Sequence, residues 1–200
     1  MKNGDIRRDI AIISGIIDNG ARVLDLGCGD GELLYLLKNE KNADAQGIEL
    51  DEQAIYKCVE KGLTVFHGDI DAGLESFPDK SFDYVIMNQS LQELKSVDLD
   101  IKEALRVGKK LIVSFSNFAF ISARLHLLLK GNAPITLSLP YYWYNTPNLH
   151  FLSISDFLNF CSDKNIKIHD KYFLRGEKIV SFLPNLLALN AIFVISDNVT

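Results

Sequence analysis

The residues with the most specific chemistry stand close together near the start of the chain, in Asp25-Leu26-Gly27-Cys28-Gly29-Asp30-Gly31. Glycines at alternate positions, directly after an apolar run, open backbone angles closed to other residues and let a ligand approach the main chain without a Cβ in the way. A dinucleotide fingerprint would space its glycines G-x-G-x-x-G and seat a pyrophosphate on the next helix N-terminus. Here the third glycine comes one residue early, and Asp25 and Asp30 bring negative charge to the mouth. An anionic pyrophosphate is disfavoured, whereas a ligand carrying an ammonium and a sulfonium is compatible. Glu49, ending the next apolar run in Gly47-Ile48-Glu49-Leu50, is placed to accept hydrogen bonds from both hydroxyls of a ribose. Asp69, in Gly68-Asp69-Ile70, falls where a side chain meets the exocyclic amine of an adenine. Signals at three successive strand ends point together to a nucleoside.

Such a site needs a scaffold that lines up strand ends, and the hydrophobic pattern predicts one. Ile6, Ile10, Ile13, Ile16 and Ile17 recur at helical spacing, ending near Asn19-Gly20. Strands are predicted at 22–26, 45–50, 63–67, 82–87, 110–115, 166–174 and 191–196, with helices at 31–38, 51–61, 98–107 and 153–164. Alternating strands and helices with near-continuous apolar strands imply an α/β fold, a mainly parallel seven-stranded sheet with helices on both faces and an antiparallel edge. In such sheets the ligand crevice lies at the carboxyl ends of the strands, where the strand order reverses. The rhythm fails between 116 and 150, which hold an apolar helix candidate at 118–130 and an aromatic loop. No repeat or linker divides the chain, so one domain is expected, read as an N-terminal helix (1–20), a cofactor-binding half (21–115), a helical and aromatic insertion (116–150) and a C-terminal helix with the last strands (151–200).

Composition narrows the classes. The chain has 200 residues, 48% of them apolar and 24% charged, which suits a folded globular protein. Its 21 basic against 26 acidic residues, a net charge of -5, have the wrong sign for a nucleic-acid partner. Cys28, Cys58 and Cys161 are odd in number and far apart, and His67, His126, His150 and His169 are scattered, so no disulfide framework or metal site is expected. Without an apolar h-region at the N-terminus or a run long enough to span a bilayer, a cytoplasmic location and no membrane contact are expected.

Asp25, Gly27, Gly29, Gly31, Glu49 and Asp69 together resemble the Rossmann-like methyltransferases dependent on S-adenosylmethionine. That resemblance implies a cofactor site made of Asp25, Gly27, Cys28, Gly29, Gly31, Glu49, Leu50, Asp69, Ile70 and Asn88, holding S-adenosylmethionine or its product S-adenosylhomocysteine. Within that class, the segments 22–34, 77–83, 103–108, 114–118 and 139–150 resemble the methionine biosynthesis protein MetW family. In that family the turn after Arg106-Val107 is short, as in Gly108-Lys109-Lys110. The chain departs from the family pattern at Ser116, where the family has proline, and at Asn145, where it has aspartate. The resemblance implies a bacterial protein of methionine synthesis, often acting beside a homoserine O-acyltransferase.

Methyl transfer is an in-line displacement in which the enzyme mainly positions the reactants, and only some acceptors need a base. Asn88-Gln89-Ser90-Leu91-Gln92-Glu93 follows the fourth strand, where an acceptor would meet the methyl group. Its glutamines cannot take a proton, and Glu93 reads more readily as a solvated helix residue, so no catalytic residue is assigned. Two readings remain, an enzyme methylating a small molecule and an accessory protein that binds or activates the acyltransferase through 116–150. Tyr141, Tyr142, Trp143 and Tyr144 would cap the domain, anchor a partner or close over a ligand. The helix before them is apolar nearly all round and should need cover on more than one side.

Overall fold

The computed structural model describes residues 7–72, 74–136 and 139–198, so Ile6 and the N-terminal segment read above lie outside the described residues. Helix α1 (Arg8–Ile16) leads into β1 (Arg22–Leu26), α2 (Glu32–Lys41), β2 (Asp44–Glu49), α3 (Glu52–Glu60) and β3 (Thr64–His67). There follow β4 (Phe82–Asn88), α4 (Val97–Val107), β5 (Gly108–Ser116), α5 (Ile121–Lys130), α6 (Ile154–Asp163), β6 (Ile166–Arg175), β7 (Lys178–Ile179), α7 (Pro184–Leu187) and β8 (Asn190–Asp197).

All eight strands form one sheet in the order β3-β2-β1-β4-β5-β8-β6-β7. The first five are parallel, and β8 is antiparallel to both β5 and β6. The predicted α/β class holds, with antiparallel pairing on one side, but the strand count is eight instead of seven. The extra strand, β7, is a two-residue hairpin return that pairs Leu174 with Ile179 and Arg175 with Lys178, too short for a hydrophobic period to reveal.

Alternation along the strands feeds two cores. Val23, Ile86, Ile112 and Val194 face Ile10 and Ile13 of α1, Ile17 just after it, and Leu33 and Leu37 of α2. Leu24, Met87, Val113 and Phe193 face Ile101 and Leu105 of α4 and Phe157 of α6. On that second side Phe193 stacks on Phe115 at 5.9 Å and meets Phe157 at 4.8 Å between ring centroids. With both faces buried, the central strands read as continuous apolar runs.

Helix α5 begins later than predicted because the chain entering it is held elsewhere. Asn117 N–H donates to Leu189 O, its side-chain amide donates to Asn185 O and Ala188 O, and Phe118 N–H donates to Leu152 O. Nor does α5 find the expected cover. Of its residues only Ala123 is buried, while Leu128 and Leu129 are 79% and 78% exposed.

Candidate functional site

The strand order changes direction between β1 and β4, and the carboxyl ends of β1 to β4 open there into a crevice of about 420 Å³. Register brings the ends level: Leu26 is opposite Ile48, Glu49 opposite His67 and Asn88 opposite Ser114. This is where an open α/β sheet places its ligand.

The glycine turn is fastened at both sides. Gly27 and Cys28 N–H groups donate to Ile48 O, at 2.9 and 3.2 Å. Gly29 N–H donates to Glu49 Oε2 at 2.7 Å, and Leu50 and Asp51 N–H groups donate to Glu49 Oε1 at 2.8 and 2.9 Å. Glu49 thus closes β2 onto the turn after β1, with one side of Oε2 unspent. Left-handed angles at Gly27, Gly29 and Gly31 let the turn curl, and they are conformations that a side chain disfavours. Space differs between them: a Cβ on Gly29 would meet nothing within 4 Å, whereas one on Gly31 would lie 2.5 Å from Leu63 Cδ1 and 2.8 Å from Cys58 Sγ. Gly31→Ala is therefore expected to destabilise the fold by ~2–4 kcal/mol, combining left-handed strain with overpacking. Gly29→Ala should cost ~1–2 kcal/mol, from strain alone. Urea unfolding of both variants checks the order.

Six of the ten predicted cofactor residues line the crevice: Gly27, Glu49, Leu50, Asp69, Ile70 and Asn88. Cys28 and Asp25 are buried behind it, and Gly29 and Gly31 belong to the turn beside it. Asp30 is exposed and pairs with Lys61 at 3.7 Å, so it does not carry its charge to the mouth as the sequence suggested. Asp69 Oδ1 accepts Asp71 N–H at 3.0 Å, and Asp71 Oδ1 accepts Lys95 N–H at 2.8 Å. Asp71 and Lys95 were missed in the sequence. Asp71 sits two residues beyond a recognised carboxylate, but Lys95 reaches the crevice only through the turn after β4, which leaves no local signal.

That turn starts at Gln89, a non-glycine residue at φ +65°. Its N–H donates to Ser114 O and Oγ, Ser114 Oγ donates to Asn88 Oδ1, and Ser90 Oγ donates to Leu26 O. These bonds swing the chain over the mouth and bring Glu93, at the end of a single 3₁₀ turn (Leu91–Glu93), to the crevice wall while leaving it exposed, so the solvated helical position favoured by the sequence also holds. Burial and the neighbouring Glu49 raise the Glu93 carboxyl above its ordinary range.

Four carboxylates, Glu49, Asp69, Asp71 and Glu93, face the crevice against Lys95. Behind them Asp25 is buried, its Oδ1 has no hydrogen-bond partner among the described residues, and burial with Glu49 nearby pushes its carboxyl up to about 7. The wall carries more acidic than basic side chains. No group of three or more potential metal ligands occurs among the described residues, and no helix among them is long and apolar enough to cross a membrane.

The model of the family described as "Methionine biosynthesis protein MetW" matches residues 7–195. The chain belongs to the MetW family. A bifunctional methionine biosynthesis protein MetXA/MetW of Rhodopirellula baltica is 34% identical over 167 residues, covering 79% of this chain and 27% of that protein. A ubiquinone/menaquinone biosynthesis C-methyltransferase UbiE of Xylella fastidiosa is 29% identical over half of this chain and 44% of its own length. The MetW-family chain thus spans about a quarter to under half of these relatives. Among solved structures, a SAM-dependent methyltransferase of Thermotoga maritima superposes with a TM-score of 0.67 at 17% identity, over 96% of this chain and 88% of that one. That likeness shows the fold: MetW-family residues 7–195 are built as a methyltransferase-like sheet within a methionine biosynthesis family.

Proposed function

We propose that the crevice binds S-adenosylmethionine and that the chain is a methyltransferase-like protein acting on a small molecule of methionine synthesis. The observation that carries this reading is Glu49, a carboxylate at the end of β2 that is tied to the glycine turn and lines the crevice. The residues present fit a cationic adenosyl thioether on three further counts. The crevice is large enough for a nucleoside, its wall is acidic, and the buried Oδ1 of Asp25 lacks a donor among the described residues.

In this reading Glu49 holds the ribose, Asp69 and Ile70 flank the adenine, and the backbone of Gly27 to Gly31 receives the methionine portion with Asp25 beneath it. When bound, the cofactor supplies a methyl group on a sulfonium, open to in-line displacement. The chain's own part is to orient and to balance charge. Asn88 and Gln89, held by Ser114, set the floor where an acceptor would rest, and Glu93 stands on the wall with its carboxyl raised above the ordinary range by partial burial and Glu49. Calorimetry with S-adenosylhomocysteine and NAD tests the reading: binding of the first without the second supports it, and the reverse selectivity sinks it.

A second reading, an accessory protein that binds a homoserine O-acyltransferase, is favoured by a separate observation. Leu128, Leu129, Trp143 and Tyr144 are 79, 78, 77 and 67% exposed, and within the aromatic segment Tyr142 stacks on Tyr144 with Trp143 edge-on to it. So much apolar surface is unusual on a protein that works alone. The fused relative carries a MetXA portion on the same polypeptide, which supports a partner of that kind. Trp143→Ala with Tyr144→Ala is expected to weaken co-purification with the acyltransferase by about tenfold or more, since exposed aromatic anchors commonly dominate interfaces. Undiminished co-purification would place the contact elsewhere.

A further inference from the structure

Two cysteines from different elements meet at one backbone carbonyl. Cys58 Sγ, from α3, lies 3.2 Å from Gly29 O, and Cys28 Sγ, from the turn itself, lies 3.9 Å from the same oxygen. Both residues also belong to one small buried cluster with Leu34 and Leu63. Bare backbone makes room for them: a Cβ on Gly47 would fall 2.5 Å from Cys28 Sγ, and one on Gly31 would fall 2.8 Å from Cys58 Sγ. Cys161, on α6, packs in the core with Phe157 and Phe193 and takes no part.

We propose that Cys28 and Cys58 are a redox-sensitive pair that closes to a disulfide under a hydroperoxide and so loosens the crevice for its nucleoside ligand, the second clause resting on the cofactor reading above. The step balances. One thiol takes an oxygen from the hydroperoxide to give a sulfenic acid and an alcohol (or water, from hydrogen peroxide). The second sulfur then displaces that oxygen, which leaves as water with the remaining thiol proton. Two electrons pass from the sulfur pair to the O–O bond. Both residues are buried, Cys28 at 9% and Cys58 at 0% exposure, so Cys28 is the one nearer solvent and is assigned the first oxidation. Cys58 attacks it, with Lys61 nearby favouring its thiolate while burial opposes it. Burial holds both thiols above the ordinary range, so closure is slow near neutrality and faster in alkali.

Closure brings the sulfurs to ~2 Å of each other and removes both thiol donors from Gly29 O. The other side of that glycine is its N–H on Glu49, so the bond that fastens the turn to β2 is disturbed from behind.

The full chain is treated with hydrogen peroxide, with and without later reduction by a thiol reagent. The expected result is a mass lower by two hydrogens, a Cys28–Cys58 cross-linked peptide, faster exchange of the Gly29 amide, and S-adenosylhomocysteine bound about tenfold more weakly, all reversed on reduction. Cys58→Ser keeps the volume and should bind the ligand while losing the response to peroxide. If that variant does not fold, reversal in the unmodified chain carries the test. Absence of the linked peptide overturns the proposal, and so does a linked protein whose Gly29 exchange and ligand affinity are unchanged. If neither redox form binds the ligand while the link and the exchange change appear, the cofactor reading fails and the thiol pair stands.

Discussion

Glu49→Ala is expected to weaken S-adenosylhomocysteine binding by about a hundredfold, the largest loss from any single truncation in the crevice. A carboxylate that accepts hydroxyl hydrogen bonds in a partly desolvated site is worth ~1.5–3 kcal/mol per bond, and the upper part of that range corresponds to the predicted factor. Glu49 has a second task that must be separated from the first. Its two oxygens already accept the N–H groups of Gly29, Leu50 and Asp51, so the alanine variant also frees the turn. Glu49→Gln divides the two effects, because it keeps one carbonyl oxygen for the backbone while losing the charge. The expected order of affinity is wild type, then Gln, then Ala, measured by calorimetry on proteins whose unfolding transitions show that they are folded. Wild-type affinity in a folded Glu49→Ala protein would remove the carboxylate from the ligand's contacts and with it the ribose assignment.

The parts of the structure visible in the sequence are those where local pattern and tertiary role coincide. β1, β4 and β5 are buried on both faces along most of their length, so their apolar runs are written into Val23 to Leu26 and Leu111 to Phe115 without ambiguity. The turn at Gly27 to Gly31 was legible because positive φ angles demand glycine there. What was hidden depends on distant partners. β7 exists because it pairs with the end of β6, and the delayed start of α5 depends on Asn117 reaching carbonyls around Ala188. Asp30 shows the same limit from the other direction. Its position beside the turn suggested a role in the crevice, yet it is exposed, pairs with Lys61 just after α3, and is not among the crevice-lining residues. Local glycine spacing set the turn's shape; three-dimensional context decided which of the nearby charges face the crevice.

Asp25 yields the second large effect, and it concerns stability before binding. Its carboxyl ionises at about 7 in the folded chain against an ordinary 3.8, chiefly because burial penalises the charge, with Glu49 adding to it. Below pH ~4 the group is protonated folded or unfolded and contributes no difference. Between ~4 and ~7 the unfolded chain has released this proton and the folded chain keeps it, so each pH unit lowers the folding equilibrium by up to about tenfold. Above 7 the loss is complete, on the order of 4 kcal/mol. Asp25→Asn cannot ionise, so it should match wild type near pH 4 and exceed its stability at pH 8 by several kcal/mol, as read from urea unfolding at both pH values. Comparing variant with wild type isolates this residue from Asp100, whose carboxyl burial also raises, to about 6. A fold that carries such a penalty at neutral pH gains nothing from it unless the charge meets a cation. Proteins commonly retain destabilising groups at sites where they act. S-adenosylmethionine binding should accordingly strengthen as pH rises through 7 in wild type, because the ligand's ammonium favours the ionised carboxylate, and the Asn variant should lose that component of the pH dependence. If the variant is no more stable than wild type at pH 8, or if its ligand affinity follows the same pH curve, Asp25 is a neutral core residue and the positive end of the ligand must be held elsewhere.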